Sequence, residues 1–426
     1  MRRGMVLAGA VVLGACAGEA VAIDEEHYRQ AREMIELSIE YLRSQQDEAT
    51  GGWALMPEGV PQQPAITSLV LTGMLMEPDI SASDPAVSRG VDFVLSYRNE
   101  DGSISDGVLA NYNTSIALSA LALVNTSEAG EAIEGGQAFL KSIQWSEEAI
   151  EHPESGAVDR DHPYYGGVGY GRSGRPDMSN ITLMLQGLRD SGLDCDDEAF
   201  QRALVFLSRT QMHEDVNDMP YAQGSTQGGF IYATSPNKDS MGVGESKAGT
   251  IEETLSDGTV ASRLRAYGSM TYAGFKSYVY ADLDRDDPRV RMAYDWIRAN
   301  YTLEENPGIG NDGLYYYYMT FGKALDAWGL PTIEVIDRKA VSDSDPFGTV
   351  DRYLADGEVA IEPGDTPGKS VLLVTETRDW ANDLVDRLAE LQNPDGSFRV
   401  VDDRWMEDNP VLITSYALLA LQHAVN

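Results

Sequence analysis

Two carboxylates in this chain stand where an acid or base could act on a ligand. Asp177 follows Arg175 by two residues, Glu407 follows Arg404 by three, and each precedes a segment of small and apolar residues. A carboxyl group so placed can give or take a proton. The arginine would lower its pKa and burial would raise it, so the balance of the two sets its role. Side chains able to hold a ligand lie in the same linkers and segment starts. They are Asn111, Tyr112 and Asn113; Tyr170, Arg172, Arg175 and Asn180; Lys247, Arg265, Tyr267 and Tyr272; Tyr315 to Tyr318, with Tyr317 among them; and Arg404, Trp405 and Asn409. With 21 Tyr against 9 Phe, this set suits a ligand bearing hydroxyls at least as well as a bare hydrocarbon. The same Tyr and Asn residues could instead close loops through hydrogen bonds, which needs no ligand.

A second acidic constellation, Asp194-Cys195-Asp196-Asp197, has an internal control. Asp284-Arg285-Asp286-Asp287 repeats its spelling, and Ser83-Asp84-Pro85 is a shorter form, each just before an amphipathic segment. Acidic residues in that position cap the free N–H groups of a helix and suit its dipole, so one repeated cap accounts for all three. His27, His152, His162, His213 and His423 beside Cys195 show no metal-ligand spacing, and neither metal nor cofactor is expected. The chain also lacks a phosphate-cradling glycine loop, a serine nucleophile elbow and an HExxH helix.

The elements that must position these residues form a repeat. A glycine turn delivering an apolar side chain occurs six times: Gly51-Gly52-Trp53, Asp101-Gly102-Ser103-Ile104, Gly166-Gly167-Val168, Gly228-Gly229-Phe230, Asp312-Gly313-Leu314-Tyr315 and Asp395-Gly396-Ser397-Phe398. An amphipathic helix precedes each turn, in four units ending at Gln45, Gln144, Gln211 or Gln392, and a small-residue helix follows. The first set is predicted near 26–46, 85–98, 131–145, 197–211, 288–301 and 378–392, the second near 64–77, 111–125, 177–192, 265–283, 314–329 and 410–425. Five of the second set have threonine near the start: Thr67, Thr114, Thr271, Thr320 and Thr414. Two-helix units cannot bury a face alone, so six must stack, and a closed ring of six inner and six outer helices is the economical arrangement. The fold class is therefore all-α, an (α/α)6 barrel with its long loops at one end. The linkers at 146–176 and 212–264 far exceed those at the other end, which places function at the inner-helix N-termini. The exception at the short-loop end is an acidic insertion near 330–377, whose Val371-Leu372-Leu373-Val374 could be a strand.

At 426 residues and 42% hydrophobic composition the chain can bury a large core, and residues 23–426 read as one domain. Residues 1–22 read as an export signal: Arg2 and Arg3, an apolar run, then Ala20-Val21-Ala22. Leu13-Gly14-Ala15-Cys16 offers a rival ending, a lipoprotein box that would leave the chain lipid-anchored through Cys16. Removal of the leader leaves Cys195 alone, so stability must come from packing, not an intramolecular disulfide. A net charge of −36 argues against nucleic acid and anionic membrane surfaces as partners, and no later stretch is long and apolar enough for a transmembrane span.

The repeat resembles that of the prenyltransferase and squalene-oxidase superfamily, which includes the squalene cyclase-like terpenoid cyclases: apolar helix, glutamine, glycine, aromatic. Its best copies are Tyr41-Leu42-Arg43-Ser44-Gln45 leading to Gly51-Gly52-Trp53, and Leu391-Gln392 leading to Asp395-Gly396-Ser397-Phe398. The resemblance covers about residues 30–425 and implies a barrel with a central ligand cavity. It also makes Asp194-Cys195-Asp196-Asp197 a match to the Asp-x-Asp-Asp of protonation-initiated cyclases, against which the repeated cap stands. Three functions remain open: a terpenoid cyclase-like barrel with an isoprenoid ligand, a polysaccharide-processing barrel with a glycan ligand, and a scaffold module without chemistry. An enclosed apolar cavity would favour the first, an open polar groove the second, and a filled barrel the third.

Overall fold

The computed structural model describes residues 23–148, 157–171, 174–340, 361–363 and 370–426. The leader at 1–22, with Cys16, therefore lies outside the described residues, as do Arg172 and most of the acidic insertion. Twelve helices are described, in the order expected. The odd-numbered ones are α1 (Glu25–Ser44), α3 (Pro85–Leu95), α5 (Ser127–Ser142), α7 (Glu198–Thr210), α9 (Pro288–Ala299) and α11 (Trp380–Leu391). The even-numbered ones are α2 (Pro64–Leu75), α4 (Ala110–Leu121), α6 (Met178–Asp190), α8 (Gly268–Tyr280), α10 (Leu314–Trp328) and α12 (Pro410–Ala424).

The two sets differ as their sequences do. Odd helices bury one stripe, such as Ile35, Ser38, Ile39 and Leu42 of α1. Even helices are buried nearly all round, from Val411 to Gln422 in α12. The even helices pack in sequence, α2 on α4, α4 on α6 and so on to α12, and α12 also packs on α2. One contiguous apolar cluster runs through all twelve.

Three devices recur and explain the repeat's signature residues. Glutamine is a staple: Gln144 Nε2 donates to the carbonyls of Gly166 and Ala199 at 2.9 Å each, tying its glycine turn to the next odd helix. Gln211 does the same with Gly228 and Arg289, at 2.8 and 2.9 Å. In the first unit the staple is Gln46, to Gly51 and Ala86, whereas Gln45 ends α1 as expected and turns an exposed side chain to Ser44 Oγ. Glycine gives close approach. Gly166 has φ +81°, and a Cβ there would lie 1.9 Å from the carbonyl oxygen of Arg202 in α7. Threonine is a latch: Thr67, Thr114, Thr271 and Thr414 each accept the turn N–H of Trp53, Ile104, Phe230 and Phe398, respectively, at 2.9–3.3 Å. They do not cap their own helices.

The acidic runs are caps. Asp197 begins α7 and accepts from Ala199 N at 2.9 Å; Asp287 does so for α9 with Arg289 N, and Asp84 for α3 with Ala86 N. The all-α expectation is corrected by two small sheets, of which only the possible strand at Val371 to Val374 is anticipated in the sequence. The long 212–264 linker carries a hairpin, β1 (Thr250–Thr254) with β2 (Val260–Leu264). The insertion supplies β3 (Thr332–Ala340), β4 (Ile361–Pro363) and β5 (Ser370–Asp379), antiparallel in the order β3-β5-β4, with Val371 to Val374 inside β5. Helical periodicity gives no hold on these alternating, β-branched segments, which pair only once folded. β3 packs on α9, where Arg298 Nε donates to the Glu334 carbonyl at 2.9 Å.

Candidate functional site

The N-termini of the even helices converge on a cavity of about 320 Å³. Its walls come from the first two turns of these helices: Ala65, Ile66 and Leu69 of α2, Tyr112 of α4, Ser179 of α6, Met270 of α8, Tyr316 of α10, and Leu412 and Tyr416 of α12. Linker residues Tyr170, Tyr232, Lys247, Tyr267, Trp405, Met406 and Glu407 close the rest. The surface is thus apolar, aliphatic and aromatic in similar measure, with tyrosine and serine hydroxyls, the Gln63 amide, one ammonium and one carboxylate. Burial pushes the Tyr112 phenol up to about 12 and those of Tyr232, Tyr267, Tyr316 and Tyr416 further, so they are neutral donors at any physiological pH.

Glu407 reaches this wall through a strained turn. Trp405 and Met406 both have left-handed backbone, φ 57° and 67°, a conformation that costs free energy for bulky residues and must be held by its surroundings. Trp405 packs over Gly313, where a Cβ would lie 2.8 Å from the indole, and Arg404 pairs with Asp312. Glu407 is then 2% exposed and accepts from Tyr315 N at 3.2 Å and Tyr316 N at 2.9 Å, the free donors that begin α10. Burial raises its pKa to about 7, against the opposing effect of those N–H groups. Equivalent jobs elsewhere are done by neutral amides. Asn113 accepts from Ala65 N at 3.0 Å to begin α2, and Asn306 from Ser269 N at 2.9 Å in α8. A carboxyl group is therefore not needed for the cap, and its ability to hold a proton near neutral pH is the property an amide lacks.

Beside the opening, Glu245 holds both Arg175 and Lys247 at 2.5 Å, and the Lys247 ammonium lies 4.5 Å from the Tyr232 ring centroid. Tyr170, 41% exposed, places its hydroxyl 3.3 Å from that of Tyr232.

Of the residues expected from sequence, the structure brings Tyr170, Tyr267, Trp405 and Glu407 together on the cavity, with Tyr112, Lys247 and Tyr316. Asp177 is buried beneath it as the cap of α6, accepting from Ser179 Oγ at 2.7 Å and from the Asn180 N and Nδ2 at 3.0 Å. Burial raises its pKa, opposed by those bonds. Asn180 passes the network to Asn111 at 3.0 Å. Arg175 stands behind Tyr232, 5.4 Å from its ring centroid. Arg404 lies 4.6 Å over the Trp405 ring, and Arg265 is exposed. Tyr272 and Tyr317 meet edge to face at 5.5 Å in an aromatic cluster away from the cavity, the Tyr317 hydroxyl donating to Thr302 O at 2.7 Å. Tyr232 and Tyr416 were not singled out by sequence. Tyr232 follows Phe230 by two residues, an alternation that could have marked it, whereas Tyr416 is hidden among the packing residues of α12. Among the described residues no group of three or more His, Cys, Asp or Glu is placed to hold a metal ion.

No family model and no curated protein matches the chain. Solved structures do. A type II terpene cyclase from Scytonema, in complex with its product merosterolic acid A, is 12% identical, with 95% of this chain and 99% of that one covered and a TM-score of 0.48. A protein from Actinoplanes is 13% identical over 93% and 100%, TM-score 0.46. A glycosidase is 10% identical over 95% and 99%, TM-score 0.45. No described helix is long and apolar enough to cross a membrane.

Proposed function

We propose that residues 23–426 form an exported (α/α)6 barrel that binds an apolar, oxygen-bearing small molecule of isoprenoid type in its mouth cavity, with Glu407 as proton donor to the ligand's oxygen. The observation that carries this reading is the Glu407 carboxyl itself, buried on a largely apolar, partly aromatic wall with its pKa raised to about 7. An acid of that strength is protonated in about half of the molecules at pH 7, against almost none for an ordinary glutamate, and the protonated form can hand its proton to an epoxide or alkoxide-like oxygen as charge develops there. It is a poor match for a bare alkene, which needs a much stronger acid. The tyrosine hydroxyls would orient the same oxygen, and Tyr316 and Tyr267 would flank the site of charge development.

Glycan processing fits less well. Glycoside hydrolysis uses two carboxyl groups facing one bond. Glu407 is the only carboxylate among the cavity-lining residues, and Asp177 is committed to its cap. The test is native mass spectrometry of the chain beginning at Ile23, incubated with lipid and glycan extracts separately. An isoprenoid-mass adduct that wild type converts and Glu407→Gln retains unchanged is expected. An oligosaccharide adduct, or turnover undiminished in Glu407→Gln, would overturn the reading.

A further inference from the structure

Below the mouth cavity, and separated from it by Leu69, Tyr112 and Tyr416, lies a second hole of about 10 Å³ between the even helices. That is the space open to the centre of a water-sized sphere, so the hole admits one water molecule or one small ion somewhat larger than water. Lys323 of α10 lines it, 5% exposed, with no hydrogen bond or ion pair to any described residue. One helix away Lys276 of α8 is 2% exposed and donates to Gln186 Oε1 at 2.5 Å, and Gln186 also lines the hole. The carboxylate that acts on both lysines is Asp190, an exposed residue at the end of α6 whose Oδ2 accepts from Gln186 Nε2 at 3.3 Å.

This is an unusual set of groups to bury. Two amines are withdrawn from water on neighbouring helices, and their shared acid is in solvent, where its field is screened. Burial lowers both, Lys276 to about 7, so near neutral pH Lys276 is poised between its charged and neutral forms. The wall decides what would tip it. The Thr72 and Ser115 hydroxyls already donate, to Ser68 O at 2.8 Å and Asn111 Oδ1 at 3.0 Å. That leaves as donors on the wall Lys323, the Ser119 hydroxyl, the second Nε2 hydrogen of Gln186 and one hydrogen of the paired Tyr112 and Tyr416 hydroxyls. The rest of the wall is apolar, from Leu69, Ile116, Leu183, Met319 and Leu419, so the polar groups that face this small space are mostly donors, one of them an amine, and they select a small anion. Sulfate or phosphate would not fit.

We propose that this hole is a binding site for one monovalent anion of chloride size, held by Lys323 and Ser119 with Lys276 contributing charge from behind Gln186. The ion would lock both lysines in their protonated forms and tie α4, α8 and α10 together. It does not depend on what the mouth cavity binds. Crystals of the full chain with chloride replaced by bromide give the direct test. An anomalous peak in the hole, within hydrogen-bond reach of Lys323 Nζ, is expected, whereas water there with bromide only at the surface would overturn the site. In solution at pH 7, exchanging gluconate for chloride at constant ionic strength should raise the thermal midpoint by about 2 °C once chloride is tenfold above its Kd. Lys323→Met and Lys323→Gln should both lose that response. If either keeps it, the anion binds elsewhere and the assignment fails.

Discussion

Replacing Glu407 by glutamine tests the buried acid without touching shape. The folded-state pKa is raised from 4.5 to about 7, so the protonated carboxyl is the form that the fold prefers. The resulting stability is fully present below about pH 4.5 and is lost as pH rises through about 7. Between pH 5 and pH 8 that loss is on the order of 2 to 3 kcal/mol for a group 2% exposed. Spread over roughly 400 residues of unfolding entropy, it corresponds to a fall of about 3 °C in thermal midpoint. Glutamine keeps an oxygen for Tyr315 N and Tyr316 N and does not titrate. Thermal unfolding of both proteins at pH 5 and pH 8 should therefore show a wild-type decline about 3 °C steeper than the variant's. Parallel pH dependence in the two would mean that Glu407 ionises as an ordinary carboxylate, and the proton-donor role would fall with it.

Gly166→Ala puts a Cβ against the Arg202 carbonyl in a left-handed backbone, and a loss of at least about 3 kcal/mol by denaturant unfolding is expected. Gln211→Leu strands the carbonyls of Gly228 and Arg289 and the Tyr278 hydroxyl that donates to Gln211 at 2.9 Å, costing about 2 to 4 kcal/mol on the same measure. Asp197→Ala removes one helix cap and the partner of the exposed Lys141, so about 1 kcal/mol should be lost and any ligand adduct seen by native mass spectrometry should persist. Disappearance of that adduct in the Asp197 variant would restore the acidic run to the chemistry.

Much of the helical order was legible because its causes are local. Apolar stripes marked α1 and α7, small residues marked α4, and the spelling shared by Asp197 and Asp287 revealed a cap. The internal repeat served as its own control. The staple was legible only in part. Gln46 and Gln45 are adjacent, and which one turns inward depends on where α1 ends, a property of how its last turn meets α3. The threonines were read as first-turn residues, but their partners are N–H groups of the preceding glycine turns, 10 to 41 positions away.

The candidate site divides along the same line. Sequence alone determined that polar side chains cluster in the long linkers and at the starts of the even helices, because linker length and helix period are written in composition. It named Glu407 and Asp177 as equals, each a carboxylate near an arginine. Tertiary structure separated them. Asp177 takes three donors from its own first turn, whereas Glu407 is swung by the left-handed Trp405 and Met406 onto the start of a different helix and faces the cavity. A pKa answers to every charge, dipole and desolvating atom nearby, and those neighbours come from segments far apart in the chain. For the same reason Lys276 and Lys323 look in sequence like two unremarkable lysines, and only the packing of α8 against α10 makes them one buried pair.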